Sequence, residues 1–142
     1  MMRFKYEKQI VNLPECPPEK YRGEQLPAFR FVFANITHKD NFLPVLLKNP
    51  RRRLSGNAKC QGYGLSFFDS LENAQTRYLK LRKNHRNIHK GIGTHIANGM
   101  IEENDGVVSE IDERGHFTLH EFEQIDLKSK FSLTMKVYDG TN

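Results

Sequence analysis

A chain of 142 residues with 37% hydrophobic content, ten Phe and no Trp holds enough apolar material for one core, and we expect a single domain. No stretch approaches the ~18–20 apolar residues of a membrane span. Charge is unevenly spread: residues 1–90 carry 18 Lys/Arg against 7 Asp/Glu, residues 91–142 carry 4 against 10, and the whole chain stands at +5.

The start, Met1 to Lys8, lacks the apolar run of a secretion signal, so a cytoplasmic setting is expected. Two cysteines, Cys16 and Cys60, are too few for a disulfide scaffold and too isolated for zinc. They are read as reduced thiols, and no metal is expected. The basic segment and the acidic one can be two solvated faces of opposite sign, or the basic face can meet a nucleic acid or a nucleotide phosphate.

Residues 1–27 are read as an extended lead-in and 28–138 as the globular core. Four of the six prolines fall in 12–27, and proline removes a backbone donor and restricts the residue before it. Residues 28–34 alternate, with Phe29, Phe31 and Phe33 on one face of a strand and Arg30 and Val32 on the other. Asp40 caps a short helix over Phe42–Lys48, and Arg51, Arg52 and Arg53 begin an exposed basic loop. A strand from about Tyr63 to Phe68 then enters the main helix, capped by Asp69 with Glu72 three residues on. Leu71, Ala74, Tyr78 and Leu81 form its buried stripe, while Arg77, Lys80, Arg82, Lys83 and Arg86 make it basic.

Beyond His89, Ile92, Thr94 and Ile96 predict a strand, Asn98-Gly99 a turn, and Asn104-Asp105-Gly106 a second turn before Val107–Ile111. Asp112 to Gly115 joins that strand to His116–Phe122 as a hairpin, and Phe131, Leu133, Met135 and Val137 alternate in a last strand. The fold expected is α+β, a single domain with a mostly antiparallel sheet, one main helix and one short helix.

Four groups of residues carry possible chemistry. Arg30 presents a rigid fork of donors suited to a phosphate; otherwise it is a strand Arg paired with an acidic residue of the late hairpin. Ser66 follows Gly62 and Gly64, which permit close backbone approach, and precedes a helix N-terminus; otherwise it is a buried strand Ser. His116, Thr118 and His120 share a strand face, either as an acid/base or phosphate-binding strip or as the wet side of the sheet. Glu121 and Glu123 share parity with Phe117 and Leu119, so either the strand ends near Glu121 or one carboxylate is held inward. His85, His89 and His95 sit among cations and do not argue for zinc.

The order Arg30, Ser66 before a helix, then Glu121-Phe122-Glu123 resembles the ADP-ribosyltransferase superfamily. That resemblance implies a split-sheet fold and NAD as cofactor. It gives Arg30 the dinucleotide phosphates, Ser66 the nicotinamide ribose and Glu123 the oxocarbenium-like transition state, with His116 or His120 accessory. Two other readings stand beside it. One is a non-catalytic nucleic-acid-binding module using Arg51, Arg52, Arg53, Arg82, Lys83 and Arg86. The other is a His-dependent phosphoesterase acting on RNA or a nucleotide, since His116-Phe117-Thr118-Leu119 resembles half of the two-histidine signature.

Overall fold

The computed structural model describes residues 3–140. Six strands form one antiparallel sheet: β1 (Leu26–Val32), β2 (Leu65–Phe68), β3 (His95–Ile101), β4 (Gly106–Val108), β5 (His116–Glu121) and β6 (Ser132–Lys136). Their order across the sheet is β4-β5-β2-β1-β3-β6. The expected α+β class holds. One main helix, α4 (Leu71–Asn84), accompanies short helices α1 (Glu7–Ile10), α2 (Val45–Lys48), α3 (Gly56–Gln61) and α5 (His89–Ile92).

Period-two alternation in β1 places its side chains as the sequence predicts. Ala28 and Val32 enter one core with Leu65, Phe67, Ala97, Phe117, Leu119 and Phe131. Phe29 and Phe31 face the other layer, where Phe68, Ala74 and Ile96 form a second cluster. Tyr78 of α4 packs edge-on against Phe31, and its hydroxyl donates to the Gly93 carbonyl at 2.8 Å, so the largest buried polar ring is satisfied. The cap of α4 is Ser70, whose Oγ accepts from Asn73 N at 3.1 Å. Asp69, the expected cap, instead accepts from the Asn73 side chain.

Three expectations from the sequence are corrected. Asn98-Gly99 makes no turn but lies within β3, where the two residues pair with Phe29 and Ala28 of β1, and a Cβ at Gly99 would overlap the Phe131 ring and the Lys130 carbonyl. The lead-in is not wholly extended: Glu7–Ile10 is helical, Ile10 and Tyr21 are buried, and Phe4 and Arg22 bridge to Phe122 and Val108. Cys16 and Cys60 are not free thiols but form a disulfide that ties the lead-in to α3. That pairing removes the argument from reduced thiols for a cytoplasmic setting. No helix of the described residues is long and apolar enough to cross a membrane.

Candidate functional site

Adjacent strands normally satisfy each other's carbonyls, yet β1 and β2 are paired only at Phe29 opposite Phe68. By contrast β1 pairs with β3 from Leu26 opposite Ile101 to Val32 opposite His95. The sheet therefore opens between Arg30–Val32 and Leu65–Phe67. Arg30 occupies the opening: Nη1 donates to the Ser66 carbonyl at 2.9 Å and Nε to the Asn41 carbonyl at 2.7 Å. Asn41 is held for this by its own amide. Its Oδ1 accepts from Phe33 N at 2.7 Å, and Nδ2 donates to the carbonyls of Asn35 and Ile36 at 2.9 and 3.1 Å.

Arg30 thus pairs with carbonyl oxygens and not with an acid, and its Nη2 has no hydrogen-bond partner among the described residues. Desolvation lowers its pKa to about 10, with Glu121 and Tyr6 pulling the other way. Lys48 is also lowered, first by burial and then by repulsion from Arg30, with Asp40 pulling the other way. Their acidic neighbours, Glu121 and Asp40, do not line the opening, so its wall stays cationic and suits an anion.

On the neighbouring pair, Ser66 faces Thr118 across β2 and β5, while His116 stands opposite Phe68. The diagonal brings His116 Nε2 within 2.9 Å of Ser66 Oγ. Asp112 steadies the other side of the imidazole. Its Oδ1 accepts from the backbone N–H groups of His116 and Arg114 at 2.9 and 2.8 Å, and its Oδ2 lies 3.9 Å from Nδ1. Burial holds the imidazole below its ordinary pKa, opposed by Asp112 and aided by Arg114 and Arg77. At neutral pH His116 is an uncharged base beside a hydroxyl.

A cavity of about 360 Å³ lies over this opening. Arg30, Ser66 and His116 all line it, with Lys48, Arg52, Arg77 and Arg114 around them and no Asp or Glu in its wall. That volume falls within the range of small-ligand sites. A second cavity, about 810 Å³, adjoins it: Gln61 and His116 line both, and Glu15, Glu110 and Asp112 line the second.

Sequence reasoning thus finds Arg30, Ser66 and His116, and all three line this cavity, the guanidinium lying over the Phe67 ring and meeting the Ser66 carbonyl while Ser66 Oγ and His116 meet on the Phe68 side of the sheet. Glu123 does not join them. It lies beyond β5, is exposed, and lines neither cavity. Glu121 is the inward carboxylate: it is buried on the Phe117–Leu119 face, paired at 2.8 Å with Lys5, and raised in pKa by that burial. Thr118 and His120 are not the wet side of the sheet, since both are 2% exposed beneath the chain around Gly64. His120 Nε2 sits 3.1 Å from the Cys60 carbonyl, away from the cavity at Ser66.

Arg51, Arg53, Lys83 and Arg86 are exposed and Arg82 half-buried, whereas Arg52 reaches the cavity wall. Sequence reasoning did not single out Lys48, Asn41, Asp112 or Arg114 as site residues. The only local signal for Asp112 was its place in the hairpin turn. Comparison with known proteins adds nothing to this geometry, for no family model, curated protein or solved structure matches the chain.

Proposed function

We propose that the opening between β1 and β2 binds a pyrophosphate-bearing dinucleotide of the NAD type, and that the protein cleaves its nicotinamide–ribose bond and passes ADP-ribose to an acceptor. The observation that carries this reading is the meeting of Arg30, Ser66 and His116 in one cavity with four further cations and no carboxylate. The resemblance to ADP-ribosyltransferases through Arg30 and Ser66 supports it, as does a sheet that parts between the two strands bearing them.

In this reading the unengaged Nη2 of Arg30 and the ammonium of Lys48 take the phosphates, where a planar fork and a point charge complement each other. Ser66 Oγ bonds a ribose hydroxyl in place of its present contact with His116. Neutral nicotinamide leaves with the bonding electrons, and the acceptor attacks the ribose carbon. His116 Nε2 takes the acceptor's proton, and Asp112 steadies the imidazolium that results. The role that the family gives to a late Glu passes here to no carboxylate of the cavity, and Glu123 is not part of the proposal. The test is nicotinamide release from NAD. Wild type is expected to release it and His116→Gln to do so at least ~100-fold more slowly. Equal rates in the two folded proteins would overturn the assignment of His116.

A nucleic-acid surface is the second reading, favoured by the exposure of Arg51 and Arg53 beside Arg52 at the cavity rim. A two-histidine phosphoesterase is disfavoured, because His116 is the one histidine among the residues that line the cavity.

A further inference from the structure

Away from that cavity, three metal-ligating side chains from three separate parts of the chain meet in the interior. Cys16 comes from the lead-in, Cys60 from α3 and His120 from β5, and their ligand atoms all lie within 4.8 Å of one another. Cys60 and His120 are 3% and 2% exposed. His120 Nε2 lies 3.7 Å from Cys60 Sγ and donates to the Cys60 carbonyl at 3.1 Å, a bond that ion binding would have to replace, while its Nδ1 is buried without a hydrogen-bond partner.

We propose that Cys16, Cys60 and His120 form a redox-gated cation site, which takes a divalent ion of the zinc class once the disulfide is reduced. In a tetrahedral site with Zn–S about 2.3 Å and Zn–N about 2.0 Å, neighbouring ligand atoms stand roughly 3.5–3.8 Å apart. The His120–Cys60 separation already meets that spacing. The two sulfurs must part, and Nε2 must exchange the Cys60 carbonyl for the ion.

Two thiolates, a neutral imidazole and a dication sum to zero charge, which a buried site tolerates. Sulfur and imidazole donors together select zinc-class ions over calcium or magnesium. With three protein ligands, a fourth position stays open to water.

The chemistry balances with a dithiol as reductant. Two electrons pass to the Cys16–Cys60 bond, the S–S bond breaks and two S–H bonds form, and the dithiol closes to its own disulfide. Binding the ion then releases both thiol protons. In either state the lead-in stays tethered to α3, whose Gln61 lines both cavities.

The test is a Co²⁺ titration of the whole protein, reduced with a phosphine and checked by circular dichroism, followed by Zn²⁺ displacement. One equivalent of Co²⁺ should bring up thiolate-to-cobalt charge-transfer and tetrahedral d–d bands in the reduced protein and none in the oxidised one. His120→Gln should weaken binding by more than the ~10–100-fold that loss of an outer partner costs. Cys16→Ser, which leaves the buried β5 ligand in place, should do the same and carries the comparison where His120→Gln does not fold. Absence of the bands in reduced protein, unchanged affinity in the folded variants, or loss of native circular dichroism on reduction would each overturn the proposal.

Discussion

Nη1 of Arg30 lies 2.9 Å from the carbonyl oxygen of Ser66, across the gap where β1 and β2 lose their backbone pairing. A side chain therefore stands in for a missing ladder bond, and the same side chain borders the cavity. Arg30→Lys keeps the charge and removes the fork. A lysine cannot serve the Ser66 and Asn41 carbonyls in that geometry. We expect a loss of about 1.5–3 kcal/mol in urea unfolding, the range for hydrogen bonds to a charged group. NAD affinity measured on the folded fraction should fall at least ~10-fold.

Ser66→Ala separates binding from support of the strand, since the carbonyl that Arg30 uses is retained. The hydroxyl is exposed to the cavity and its partner His116 can turn to water, so stability should change by less than ~0.5 kcal/mol. Dinucleotide affinity should fall about 5-fold, the worth of one neutral hydrogen bond. Calorimetric titration and urea melts of the same variant give both values.

His116 makes a pH-dependent contribution of definite sign. Its pKa in the folded protein is below the ordinary value of about 6.5, first through burial. The unfolded chain takes up a proton near pH 6.5 that the folded imidazole still refuses. Its share of stability is complete above that pH and is lost as pH falls through the folded pKa. Urea midpoints of wild type and His116→Gln from pH 5 to 8 should converge at the acid end and differ by a constant amount above pH 7. The acid limb of nicotinamide release should likewise lie below pH 6.5.

The basic loop tests the nucleic-acid reading apart from the dinucleotide one. Arg51 and Arg53 are exposed and do not line the cavity. Replacing both with Ser should lower the slope of log affinity against log salt for a single-stranded oligonucleotide by about 1–2. NAD affinity should stay within about twofold. A loss of NAD binding equal to the loss of oligonucleotide binding would tie the loop to the dinucleotide site.

How much of this was legible depended on how local each signal is. The alternation around Arg30 and the stripe Ala74–Tyr78 on α4 are carried by neighbouring residues, so period alone reveals them. Helix α3 lacks such a signal: Gly56 opens it at φ 58°, and Ser55 gives no side-chain cap. Asn98-Gly99 reads as a turn because turn chemistry is local, whereas the need for no Cβ beside Phe131 is tertiary. The Ser66–His116 contact depends on the register of β2 with β5, which no short window contains. Glu123 was misplaced for the same reason, since a strand that stops at Glu121 carries the next carboxylate out to the surface. The Cys16–Cys60 pairing spans 44 residues and shows only when the lead-in is folded back.

The most direct test of the dinucleotide site is calorimetric titration of NAD into wild type and into Arg30→Ala shown to be folded by circular dichroism. Saturable one-site binding in wild type, lost in the variant, is the predicted result. No heat of binding to wild type, or equal affinity in the two proteins, would contradict it.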